Sequence, residues 1–156
     1  MRLTGFTKYG LLVLVYATVH CDELLTVNQI SVAFGISRNH LTKIVHTLGR
    51  AGYLSTSRGR TGGLRLGRPA GLITVGEVVR TMEQDFDMAE RFDTEHSTSA
   101  TTAACGLRST FWAATRAYFE VLDRCTLADL ASDHGELTHL LIGSPVDHSP
   151  MQRTST

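Results

Sequence analysis

Two short amphipathic stretches joined by Gly35-Ile36-Ser37 constrain this chain more tightly than its composition does. Before the joint, Thr26 is a good helix N-cap, and Val27, Ile30 and Phe34 supply the apolar positions of a short helix. Gly35 suits the end of that helix, where a left-handed backbone is often needed. After the joint, Ser37 is a second N-cap, and Leu41, Ile44, Val45 and Leu48 repeat at the i, i+3, i+4, i+7 spacing of a helix with one buried stripe. Two helices so joined have the spacing of a helix-turn-helix, whose second helix enters the major groove of duplex DNA.

The flanking sequence completes a small unit. Thr7 to about His20 reads as a helix with Leu11, Leu12, Leu14, Val15 and Ala17 on a broad apolar face, broken by Asp22-Glu23. Tyr53–Ser57 reads as a strand, Arg58–Gly63 as its turn and Leu64–Leu66 as the returning strand, closed by Pro69 and Gly71. A further helix carries Val75, Val78, Val79 and Met82 on one face. The expected fold is therefore mainly α, a winged helix-turn-helix with a small β-hairpin wing over 1–82 and a long dimerisation helix beyond it. Residues 83–104, rich in acids, Ser, Thr and Ala, read as a sensor-type loop. From 105 to about 125 runs the longest helix, with Leu107, Phe111, Ala114, Tyr118, Val121 and Cys125 at the four-three spacing of a coiled-coil seam. Thr126–Leu130 and Leu137–Ile142 read as short helical pieces that complete a segment over 105–142, and the polar tail 143–156, with Pro145 and Pro150, as disordered.

Charge is distributed unevenly. The chain is neutral overall, yet residues 1–70 carry nine Lys/Arg against two acids, and residues 71–156 carry six Arg against thirteen. A basic half suits a polyanion. Within it, Arg38, Asn39 and His40 sit at the N-terminal end of the recognition helix and have the donors and acceptors that base edges require. Thr42 shares that face, and Lys43 is placed for a phosphate, a contact that adds affinity without sequence choice. Arg58, Arg60 and Arg65 flank three glycines in the hairpin, a composition suited to a narrow minor groove. Either piece alone could be an ordinary solvated surface. Both together, in this order, point to double-stranded DNA.

Other classes fit less well. No window approaches the roughly 18 apolar residues of a membrane span, and Met1-Arg2 leads into no signal-peptide pattern, so a cytoplasmic, membrane-free protein is expected. Cys21, Cys105 and Cys125 are too few and too irregularly spaced for a disulfide framework. There is no Walker-type phosphate loop, no His-Glu-x-x-His and no Gly-x-Ser-x-Gly elbow, and the acids of the loop read as a solvated face, so catalysis is not expected. A protein-interaction module built on the long helix would leave the basic half without a role.

Several segments together resemble a known family. They are Leu3–Thr7, Ser37–Leu41, Gly52-Tyr53, Arg58–Leu66, Cys105–Leu107 and Thr126–Leu130, and the likeness covers about residues 1–142. They resemble the nitrite- and nitric-oxide-sensitive NsrR repressors of the IscR-like winged-helix superfamily. The resemblance implies a homodimer with crossed long helices, a palindromic operator and repression of nitrosative-stress genes. It also implies an iron–sulfur cluster, 2Fe–2S or 4Fe–4S, held by three evenly spaced cysteines and an acidic residue near the N-terminus. Anchored on Cys105, the other cysteine positions fall on Asp93 and Ser99, and the acidic position falls on Lys8. Aspartate and serine offer harder oxygen, and lysine is a cation that does not ligate iron. Three readings stay open: a weaker cluster through Cys105 helped by Asp93, Glu90, Glu95 or His96; a redox thiol at Cys105 or Cys125; or a DNA binder that has lost its sensor.

Overall fold

The computed structural model describes residues 3–57, 59, 62–83 and 102–132, with nothing given for the side chains of 102–105 and 108. The wing residues Arg58 and Arg60, most of the expected sensor loop, with Asp93 and Ser99, the Leu137–Ile142 piece and the tail lie outside the described residues.

Helix α1 (Gly5–Val19) starts two residues earlier than its apolar run suggests, because Thr4 caps it by accepting from the Thr7 amide. It buries Leu12, Val13, Leu14, Val15 and Ala17, a wide surface because three later helices all pack on it. Helix α2 (Val27–Phe34) opens with a capping box. The Thr26 hydroxyl accepts from the Gln29 amide, and the Gln29 side-chain oxygen accepts from the Thr26 amide at 2.7 Å. Gly35 ends it at φ 63°, in the left-handed region that a glycine enters without strain. Ser37 then caps helix α3 (Arg38–Arg50), which buries Leu41, Ile44, Val45 and Leu48 as the spacing requires.

The hairpin is one antiparallel pair, β1 (Leu54–Thr56) with β2 (Leu64–Leu66), in the register Leu54↔Leu66, Ser55↔Arg65 and Thr56↔Leu64. Its turn-side end is stitched to the segment before α2. Leu25 and Leu64 exchange both backbone hydrogen bonds, at 3.0 and 2.7 Å. On its other side the buried Tyr53 donates its hydroxyl to the Glu77 carbonyl at 3.1 Å, and Arg68 lies over the Tyr53 ring and pairs with the Glu77 carboxylate.

After a single 3-10 turn, Ala70–Leu72, helix α4 (Val75–Met82) packs on both α1 and the long helix α5 (Thr102–Leu122). Helix α5 begins three residues before the expected start and stops short of Cys125, which lies in the connection to helix α6 (Leu127–Ser132). At the α4–α5 joint, Gly76 brings the helices together; a Cβ there would lie 2.0 Å from Asp123 Oδ1. Asp123 accepts two hydrogen bonds from Arg80, at 2.8 and 2.6 Å, and the Arg80 guanidinium sits 4.1 Å from the centre of the Phe119 ring. Val75, Val79 and Phe119 form a small second core here.

Helix α6 belongs to the main core. Its Leu127 is 0% exposed and belongs to the core that α1, α2, α3 and the hairpin share, with α6 lying against α1 and the 3-10 turn. Backbone bonds from Val75 to Cys125 and from Leu127 to Ile73 tie it to the start of α4. The unit expected to close at residue 82 thus closes only with α6.

Candidate nucleic-acid interface

One face of α3 is exposed along its whole length. Asn39, Lys43, His46 and Arg50 follow one another at intervals of four, three and four, and all are exposed, as are Arg38 and Thr42 beside them. The Thr42 hydroxyl donates to the Arg38 carbonyl at 2.8 Å, which leaves its lone pairs and methyl group for a partner. A threonine methyl group suits the C5-methyl of thymine. His40 behaves differently from its neighbours. Its ring is half-buried against α1, stacked with Phe6 at 6.1 Å and edge-on to Tyr9 at 5.5 Å between centroids. The first turn of α3 is thereby packed onto α1 by the same residue that was expected beside Arg38 and Asn39 at the base edges.

The hairpin stands beside this face. Arg65 is exposed on β2 opposite Ser55. Between α3 and the hairpin runs an open cleft whose walls include Thr42, His46 and Arg50 on one side and Thr56, Ser57 and Gly63 on the other, with Leu25 and Thr26 between them. The cleft, and Arg50 in it, were not among the expected contacts, although the four-three-four spacing from Asn39 leads directly to Arg50.

The local electrostatics are one-sided. No carboxylate occurs anywhere between Glu23 and Glu77. Arg68 meets Glu77, but among the described residues Arg38, Lys43, Arg50 and Arg65 form no ion pair. Four uncompensated cations around one helix and one ribbon attract a polyanion and release its counterions on contact.

The cluster implied by the resemblance finds poor donors. Lys8 is exposed on α1. Among the described residues no group of three or more His, Cys, Asp and Glu is placed to hold a metal ion. Cys21 is exposed just past α1, and Cys125 is half-buried, with its thiol donating to the Thr126 carbonyl. Burial, and secondarily Asp129, push the Cys125 thiol above its ordinary range, which keeps it protonated at neutral pH. One thiolate position, an ammonium and two oxygen donors do not fit a cluster that needs three thiolates. Among the described residues no helix is long and apolar enough to cross a membrane.

Residues 3–133 match the Rrf2 family, described as an iron-dependent transcriptional regulator. The chain is 41% identical over 142 residues to the HTH-type transcriptional regulator NsrR of Bacillus licheniformis, covering 90% of this chain and 99% of that one. It is 42% identical to the NsrR of Bacillus subtilis over 90% of this chain and 97% of the relative. Among solved structures, CymR (YrzC), the global cysteine regulator of Bacillus subtilis, superposes with a TM-score of 0.68 at 28% identity, covering 85% of this chain and 98% of that one. The IscR of T. potens shares the fold, with a TM-score of 0.69 at 24% identity over 87% of this chain and 90% of that one. The chain belongs to the Rrf2 family and is of the NsrR type, a DNA-binding regulator of transcription rather than an enzyme.

Proposed function

We propose that two copies of this chain bind a palindromic operator and repress genes of the nitric-oxide or nitrosative-stress response, in the cytoplasm. The observation that carries the DNA part is the exposed polar face of α3 beside an arginine-bearing hairpin in a stretch free of carboxylates. In this reading Arg38 and Asn39 address base edges in the major groove, Thr42 offers its methyl group, and Lys43 holds a phosphate. Arg58, Arg60 and Arg65 follow the hairpin into the minor groove, where a narrow groove concentrates negative potential. His40 acts through its packing on α1, which fixes the angle of the reading end.

Dimerisation is supported by α5. Leu107, Ala114 and Val121 recur every seven residues and are exposed, Leu107 at 49% and Val121 at 66%. Helix α4 takes the Phe119 side of α5, and among the described residues nothing covers this stripe, which supports its meeting the same stripe of a second copy. The nitric-oxide assignment follows the likeness to the NsrR relatives.

The donor set does not fit a three-thiolate cluster. Anaerobic purification with iron and sulfide analysis is expected to return no stoichiometric iron; stoichiometric iron that disappears in Cys105→Ser would overturn this. Selection from a random duplex pool tests the operator. An inverted repeat is expected, with half-site centres about 10 base pairs or a multiple of that apart. Arg38→Ala should relax the preference at one position by about 1–3 kcal/mol. A selection that enriches no motif refutes the reading.

A further inference from the structure

We propose that the cleft between α3 and the wing is a phosphate seat, in which Arg50 and His46 grip the DNA strand that separates the major from the minor groove. This rests on the reading that α3 enters the first groove and the hairpin the second. With a helix on one side of a sugar–phosphate strand and a ribbon on the other, that strand has to run between them. The space between them here is the cleft whose walls carry Thr42, His46, Arg50, Thr56 and Ser57.

Three observations make this more than a gap. The first is charge. Arg50 is exposed, forms no ion pair among the described residues, and lies in a stretch of sequence without carboxylates, so no described carboxylate holds its guanidinium. The second is rigidity. The far wall is fixed by the paired Leu25–Leu64 bonds and by Gly63, whose amide donates to both the carbonyl and the hydroxyl of Ser57. A Cβ on Gly63 would come within 2.8 Å of the Leu25 carbonyl oxygen, so the wing sits against that segment with no slack. The third is placement. Arg50 lies twelve residues after Arg38, roughly 18 Å along the helix axis, so base reading and this grip occupy opposite ends of α3.

Arg50 could instead serve α3 alone, as a cation near the negative end of its dipole. The two roles differ in salt dependence. Binding of the full chain to the selected operator and to a random-sequence duplex is to be measured from 50 to 300 mM salt. Arg50→Gln is expected to weaken both DNAs by the same factor, roughly tenfold at fixed salt. It should also reduce the slope of log affinity against log salt by about 0.9. Arg50→Lys should restore the slope. His46→Ala should weaken both DNAs by about fivefold without changing base preference. Arg124→Gln, at an exposed residue distant in sequence from the cleft, should leave slope and affinity unchanged. Thermal midpoints are to be followed in parallel. If Arg50→Gln loses affinity with an unaltered slope, Arg50 acts through the helix and the seat is refuted. A parent chain whose binding does not respond to salt would instead refute the groove reading on which the seat depends.

Discussion

Replacing Gly76 by alanine tests the joint that sets α5 against the DNA-reading unit. The added methyl carbon would lie 2.0 Å from Asp123 Oδ1, 2.9 Å from Cγ and 3.2 Å from the Asp123 amide nitrogen. The carboxylate has to swing away, and its two bonds from Arg80 go with it. That ion pair is about 40% exposed on each side, so its loss is worth only about 0.2–1 kcal/mol. The larger cost is the crowding of that carboxylate against the new methyl group and its neighbours at the joint, about 1–3 kcal/mol for an overpacked contact. Against this, alanine in a helix gains about 0.5–1 kcal/mol over glycine. The net expectation is a loss of about 1–2 kcal/mol. In an Asp123→Ala background the carboxylate is gone and only the amide contact is left, so Gly76→Ala should then be close to neutral. Urea unfolding of the four chains at one protein concentration measures this. Gly76→Ala alone should lower the midpoint by about 0.5–1 M, and the double variant should match Asp123→Ala. Additive effects would show that the carboxylate does not govern the joint.

Three further outcomes follow from particular contacts. Val121→Asp places a charge in the exposed seven-residue stripe and is expected to give monomers by sedimentation, with loss of tight operator binding; a variant that stays dimeric assigns the interface elsewhere. In a Cys105→Ser background, a thiol reagent should label the exposed Cys21 faster than the half-buried Cys125, and equal rates would contradict the raised Cys125 pKa. The hydrogen bonds from Arg80 hold the Asp123 carboxyl below its usual range, so its contribution is complete above the unfolded value of about 3.9 and is lost as pH falls through the lower folded value. Asp123→Asn should therefore flatten the acid limb of stability below about pH 4, and an unchanged limb would deny the pair any role in acid unfolding.

Much of the DNA-reading half is legible in the sequence because its signals are local. Thr26, Gly35 and Ser37 act as caps at the positions their chemistry dictates, and the apolar spacing of α3 predicts its buried stripe residue for residue. His40 could not be placed this way. It sits at the border of the stripe, and only the rings of Phe6 and Tyr9, brought in by the packing of α1, turn it inward. The Leu25–Leu64 pair was invisible for a related reason, since two residues exchanging backbone bonds across 39 positions leave no periodicity to read. Cys125 follows the four-three seam in sequence, yet the helix ends at Leu122 and the connection to α6 carries Cys125 into the small second core.

The position of α6 decides how this molecule can be divided. Leu127, Leu130 and Ala131 plug the core from a point in the chain beyond the long helix. A fragment cut after α4 would expose the cavity that they fill, and removing one buried leucine side chain alone costs about 2–5 kcal/mol. The same order holds during synthesis. A nascent chain completes the core beneath α3 and the hairpin only after α5, the helix proposed to meet a second copy, has emerged.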